Sequence, residues 1–252
     1  MRVFIVVPCY GRPDLLERCA ESIASQDDAT VLIADDASPT RDQYKALRGC
    51  EDRGWIVRRQ ARNVGALRNI VDAVRHLEAI ADFDPDDVVI LVDGDDELTP
   101  GAVGRLREAF ADDTLVCYGD YRSEPPDLGC PAPLPIPPDI LRWGMVRALT
   151  RDHGQFWNHP LAFRRRVFDV LRDDDFTIGG EWMRHAYDVI LMVPMIEAAG
   201  ARVKCLDSVN YIYRSDRPEA VHRIHEAEAN AEHAWVVNQP RKYHPLDVEV
   251  DA

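Results

Sequence analysis

An α/β fold built on a mostly parallel sheet flanked by helices is predicted for this 252-residue sequence by three observations. Apolar runs without alternation, above all Val88-Val89-Ile90-Leu91-Val92, read as strands buried on both faces. These runs alternate with helical stripes of apolar residues, the pattern of a parallel sheet with right-handed crossovers. Finally, polar clusters stand at the C-terminal ends of three strands, where such sheets bind ligands: Pro8-Cys9-Tyr10, Asp35-Asp36-Ala37-Ser38 and Asp93-Gly94-Asp95-Asp96.

The elements follow in order. Val3 to Val7 is the first strand; the N-terminus has the outline of a leader peptide but enters a Cys-Tyr-Gly-Arg-Pro turn with no small-residue cleavage site. Pro13 to Gln26 is helical, with Leu15, Leu16, Cys19, Ala20 and Ile23 on one stripe and Pro13 in the tolerated first turn. Thr30 to Ala34 and Trp55 to Arg59 are strands, and Asn63 to Ala81 is a helix facing inward through Leu67, Ile70, Val71, Val74 and Leu77. Beyond the fourth strand, Thr114 to Tyr121 is a further strand. Seven prolines between Glu124 and Asp139 exclude a helix or a central strand and predict a loop or flap over the sheet. Phe163 to Leu171 and Trp182 to Ala199 read as helices, the second interrupted by Pro194, and Val203 to Leu206 and Val209 to Tyr213 as short strands. From Ser215 the chain is polar and His-rich, a tail or cover. The organisation expected is 1–121, 122–214 and 215–252 within one structural domain.

Composition narrows the function classes. The sequence is 46% hydrophobic and 29% charged, with no apolar run long enough to span a membrane. A net charge of −14 opposes nonspecific attraction to nucleic acid or anionic lipid. Six cysteines without metal-finger or C-x-x-C spacing suit reduced thiols and a cytoplasmic protein. The chain has only three lysines, so its positive charge is nearly all arginine, a bias that base composition or a saline habitat explains as well as phosphate recognition does.

Asp93-Gly94-Asp95-Asp96 carries the clearest chemistry. Carboxylates this close repel one another by several kcal/mol unless a cation sits among them, and hard oxygen ligands suit Mg²⁺ or Mn²⁺ carrying phosphates. An Asp-Gly turn is the plain alternative.

Four segments in order resemble family 2 glycosyltransferases of the GT-A fold over about residues 3 to 214. They are Val6-Val7-Pro8-Cys9-Tyr10-Gly11-Arg12, Ala34-Asp35-Asp36-Ala37-Ser38, Arg62-Asn63-Val64-Gly65 with Arg68-Asn69, and Leu91-Val92-Asp93-Gly94-Asp95-Asp96. The resemblance implies a Rossmann-like, mostly parallel sheet flanked by helices with a smaller acceptor-side region. It also implies an inverting enzyme that moves a sugar from a nucleoside diphosphate sugar, a UDP-sugar first, to a hydroxyl acceptor with Mn²⁺ or Mg²⁺. On these matches Pro8, Tyr10, Arg12, Asp35, Asp36, Asn63, Arg68, Asp93 and Gly94 are donor-binding candidates. Gly11 stands where the family usually has Asn, Asp35-Asp36 also reads as an Asx-turn, and Asn63 as a helix cap. Asp95 is the principal metal ligand, Asp93 meets the ribose or a metal-bound water, Asp96 is a third ligand, and His222 or His225 an additional one.

Inversion needs a base on the acceptor side to take the hydroxyl proton. The family places an acid before a helix ending in Ala-Gly and a later tyrosine- and arginine-bearing segment; here Tyr187-Asp188 precedes Ala198-Ala199-Gly200, and Tyr211-Ile212-Tyr213-Arg214 follows. Asp188 is therefore the catalytic base, with Tyr187 where an acid is usual and Glu181 as the alternative. His159-Pro160 with Phe163-Arg164-Arg165-Arg166 resembles an acceptor-side segment; the arginines read first as a solvated helix face and second as phosphate ligands.

Rival readings are an enzyme glycosylating hydroxymethylated DNA bases, as in viral systems, and a nucleotide-sugar-binding protein without turnover. Nucleotidyl transfer is disfavoured because Gly11-Arg12-Pro13 is a poor phosphate loop. The acceptor is not written in the sequence, and nucleic acid is a disfavoured candidate for it.

Overall fold

The computed structural model describes residues 1–26, 28–80, 82–126, 132–215 and 224–246. Strands β1 (Val3–Cys9), β2 (Thr30–Asp35), β3 (Ile56–Arg59) and β4 (Val88–Leu91) lie parallel in the order β3-β2-β1-β4. Helices α1 (Pro13–Ala24), α2 (Arg41–Asp52) and α3 (Ala66–Ile80) link them. Successive β1 residues alternate between two cores. Phe4 and Val6 join α3 on one face, while Val3, Ile5 and Val7 join α1 and α2 on the other, so every apolar residue of the run is buried.

Beyond β4 the sheet continues through β7 (Asn158–Arg164), β6 (Val116–Glu124), β10 (Val203–Arg214) and β5 (Glu97–Leu98), eight strands in all. β7 runs antiparallel to both β4 and β6, and β10 parallel to β6. The short helices α4 (Ala102–Ala109), α5 (Pro138–Trp143), α6 (Val146–His153) and α7 (Arg165–Asp169) surround this half. A small hairpin of β8 (Thr177–Ile178) and β9 (Glu181–Trp182) precedes α8 (Tyr187–Ala199), whose residues from Val189 onward are all buried.

Several expectations are corrected here. The helix expected over Phe163 to Leu171 is split: Leu161, Ala162 and Phe163 pair with β4 and β6 as a doubly buried strand, and only Arg165–Asp169 is helical. A short apolar run carries no periodicity to separate these outcomes. Residues 182–199 begin as β9 and become helical only at Tyr187, and the helix continues through Pro194. Val203 to Arg214 is one bulged strand and not two. The proline segment anchors Ile136 in the core and ends in α5, while residues 127–131 lie outside the described residues.

The segment expected to be a tail or cover contains a C-terminal helix, Glu226–Asn238, that packs on α6 and α8 and buries Val236 and Val237. It is locked by a buried ion pair in which Arg147 Nε donates to Glu197 at 2.7 Å and Arg147 Nη1 to the Val236 carbonyl at 2.6 Å. Among the described residues, no helix is long and apolar enough to cross a membrane.

Candidate active site

The site forms where β1, β2 and β4 end together. Past β4 the chain turns through Asp93-Gly94-Asp95-Asp96, and the Gly94 amide donates to the Pro8 carbonyl at 2.9 Å. A Cβ at Gly94 would stand 2.6 Å from Cys9 Cβ and 2.9 Å from that carbonyl, so only glycine lets the two strand ends meet. Asp93, Asp95 and Asp96 each offer a carboxylate oxygen, all within 4.8 Å of one another. Among the described residues this is the one group of that kind. Burial holds the Asp96 carboxyl well above its ordinary range, and the charge of Asp93 pushes the same way. Three hard oxygen donors under mutual repulsion fit a divalent cation of the Mg²⁺ or Mn²⁺ type.

The neighbouring floor is built by Asp35 and Asp36. Asp35 is fully buried; it accepts from the Ser38 amide at 3.1 Å and the Ser38 hydroxyl, and Arg59 Nε lies 3.3 Å away. Ser38 Oγ in turn accepts from the Gly11 amide at 2.8 Å. Asp36 accepts from the Val64 and Gly65 amides at 2.7 and 2.8 Å, tying the loop before α3 to the end of β2. The Asp35 contact to Ser38 is a local turn, whereas Asp36 joins two loops far apart in sequence. Tyr10 is 52% exposed at the rim, and Arg12 pairs with Asp14 at 3.4 Å. Gly11 has φ +68° with nothing within 4 Å of a Cβ placed there, a left-handed position that Asn also tolerates.

Beside this floor is a cavity of about 300 Å³ lined by Arg62, Asn63, Arg68, Glu181, Trp182 and Arg184. The Arg68 guanidinium lies 5.3 Å from the Trp182 ring, and Arg184 Nη2 donates to Asn63 Oδ1 at 2.7 Å, so the β8-β9 hairpin reaches across to the α3 loop. Asn63 is not the cap of α3, which starts at Ala66. A larger cavity, about 510 Å³ around Asp86, Asp112 and Arg166, lies at the opposite strand ends. Arg164 belongs to that end, since it pairs with Val88 at the start of β4. It donates to the carbonyls of Thr114, Asp86, Phe110 and Asp112, so it is a buried strut and not a solvated or phosphate-binding residue.

The second half of the chain meets the carboxylates through tyrosines. Tyr187 Oη donates toward both Asp93 carboxylate oxygens, 2.7 Å from each. Tyr211 Oη accepts from the Asp93 amide at 3.0 Å and donates to Asp96 Oδ2 at 3.0 Å; the Arg214 amide donates to Asp96 Oδ1 at 2.9 Å. Burial raises both phenols well above their usual range, and the facing carboxylates add to this, so both stay protonated donors. The His159 ring lies against Tyr211, 5.0 Å between centroids and tilted by 32°, with Nε2 3.5 Å from Tyr187 Oη. Asp188 follows Tyr187 in the first turn of α8. Glu232, on the C-terminal helix, accepts from the amides of Arg184, His185 and Ala186 at 2.8, 2.7 and 3.0 Å. His225 stacks on His185 at 4.5 Å and does not join the carboxylate group, and His222 lies outside the described residues.

Compared with known proteins, the chain matches the family described as Glycosyl transferase family 2 over residues 4–186. The chain belongs to glycosyl transferase family 2. No curated protein matches it. Among solved structures, residues 1–349 of S. aureus TarS in complex with UDP-GlcNAc superpose with a TM-score of 0.63 at 16% identity, covering 87% of this chain and 60% of that one. The longer S. aureus TarS structure gives 0.61 at 16% identity, covering 91% and 39%. The mannosyltransferase PcManGT from Pyrobaculum calidifontis, in complex with GDP-Man and Mn²⁺, gives 0.63 at 17%, covering 95% and 65%. The chain thus spans less than two thirds of the length of each of these structures. Its curled, mostly parallel sheet flanked by helices is the GT-A fold of these neighbours.

Within this family 2 chain the structure brings together Pro8, Asp93, Gly94, Asp95 and Asp96 at one turn, with Tyr10, Arg12, Asp35 and Asp36 around it. Asn63, Arg68 and Glu181 meet at the cavity, and Asp188 is the second residue of the helix whose first residue, Tyr187, touches Asp93. The sequence shows His159 and Tyr211 only as members of motif segments and gives no sign of the contacts made by Arg184 and Glu232. An acid outside the matched residues 4–186, on a helix with no apolar stripe of its own, carries no local signal that it caps a turn almost fifty residues earlier.

Proposed function

We propose that this protein is a metal-dependent, inverting glycosyltransferase that moves a sugar from a nucleoside diphosphate sugar, in the first place a UDP-sugar, to a hydroxyl acceptor. The observation that carries this reading is the convergence of Asp93, Asp95 and Asp96 oxygens within 4.8 Å at the end of β4, beside the β1 turn. Support also comes from the neighbours' bound molecules, UDP-GlcNAc in TarS and GDP-Man with Mn²⁺ in PcManGT.

In this reading Asp95, with Asp93 and Asp96, would hold Mn²⁺ or Mg²⁺, which would supply positive charge beside the leaving diphosphate. Pro8, Tyr10 and Arg12 face the nucleoside from the β1 turn, Asp35 and Asp36 shape the pocket beneath it, and Asn63 and Arg68 flank the donor. Asp188 takes the acceptor hydroxyl proton as the new bond forms, with Glu181, on the cavity wall, as the alternative base. The experiment is release of nucleoside diphosphate from a panel of sugar donors with and without Mn²⁺. Metal-dependent release supports the reading. Release from no donor leaves a nucleotide-sugar-binding protein, and transfer only to hydroxymethylated DNA makes the acceptor a nucleic acid.

A further inference from the structure

We propose that Tyr187 is a positioning residue for the metal-binding carboxylates and that it couples them to the helix bearing the base, an inference that rests on the metal reading above. A phenol has one proton, and here it is shared between two oxygens of the same carboxylate, each 2.7 Å away. Such a contact fixes the rotation of Asp93. It uses one acceptor site on each oxygen, and a carboxylate has about four, so a cation and a ribose hydroxyl still find lone pairs.

The surrounding residues give this contact its force. Tyr211 bridges the Asp93 amide and the Asp96 carboxylate, so two phenols restrain two of the three acids from behind. His159 packs its ring against Tyr211 and toward Tyr187, closing that side with aromatic edges. Without these donors, three acids within 4.8 Å would rotate apart to relieve repulsion, and a cation would have to gather them again at the cost of binding energy.

Tyr187 is also the first residue of α8 and the covalent neighbour of Asp188. The turn before it is held from the far side by Glu232 through three amides. The first turn of α8 is therefore fixed at two points, a carboxylate of the metal group inside and an acid of the C-terminal helix outside. A neutral phenol in place of the acid usual at this position joins the two halves of the site and adds no fourth negative charge to the cluster.

The test is calorimetric titration of the full-length chain with Mn²⁺ alone, comparing wild type, Tyr187→Phe and Asp95→Ala. Phenylalanine keeps the bulk of the ring, so far-ultraviolet circular dichroism should match wild type and the metal-free protein should still unfold in one cooperative transition, at a slightly lower temperature for the lost hydrogen bond. Mn²⁺ affinity should fall about 10- to 100-fold in Tyr187→Phe, the usual cost of losing a partner that orients a metal ligand, and binding should vanish in Asp95→Ala. Equal Mn²⁺ affinity in wild type and Tyr187→Phe overturns this proposal and leaves the metal reading standing. No Mn²⁺ binding by the wild type overturns both.

Discussion

The two halves of the sheet hold their parts of the site by different means. In the parallel half, β3-β2-β1-β4, the functional turns are joined mainly through main-chain groups: Gly94 to Pro8, Asp36 N to the Cys9 carbonyl, and the amides of Val64 and Gly65 to Asp36. In the other half the links are side chains that cross the fold, Tyr187 to Asp93, Glu232 to the turn before α8, and Arg147 to Glu197. A site made of strand ends inherits its geometry from the sheet, whereas one made of long-range side-chain contacts fails one residue at a time.

The largest effect that would sharpen this contrast is at the metal turn. Asp95→Ala should abolish transfer while leaving the melting temperature near that of wild type, because it removes a ligand from a turn and nothing from the core. Near-normal turnover in the variant or in chelator would reassign the acids to the turn alone. Next is Asp188→Asn, which keeps the shape but cannot take a proton. It should slow transfer roughly 10²-fold with donor affinity unchanged. Normal transfer by Asp188→Asn alongside a dead Glu181→Gln would move the base to the β8-β9 hairpin.

Stability should divide the halves as well. Arg147→Ala strands Glu197, whose side chain is fully buried, and should cost about 3–5 kcal/mol in urea unfolding. A loss under about 1 kcal/mol would show that the C-terminal helix docks by its apolar residues alone. The smallest effect belongs to Glu232→Ala, about 1 kcal/mol, the scale of a lost helix cap. Faster hydrogen exchange at the amides of Arg184, His185 and Ala186 would locate it, and unchanged exchange there would argue that other groups hold the turn.

The same division explains what was legible in the sequence. β1, β2, β4, α1 and α3 announce themselves by periodicity, and Asp93 to Asp96 by charge at a strand end. α2 escaped because its buried stripe is Gln43, Ala46, Leu47 and Cys50, correctly spaced but weakly apolar. β7 was hidden because a strand buried on both faces and a buried helix present the same short run. Asp188 is a candidate by motif alone. Tyr187 was visible only as a departure from that motif, since its partner lies 94 residues away.

The two glycines of the turns after β4 and β1 answer differently to mutagenic randomisation. A codon library at position 94 should return glycine alone among active clones, because every other side chain begins with a carbon that has no room beside Cys9. At position 11 the open space and left-handed backbone admit asparagine too. Variation at these two turns therefore has one open position, on the rim, and one closed position, where the strand ends meet.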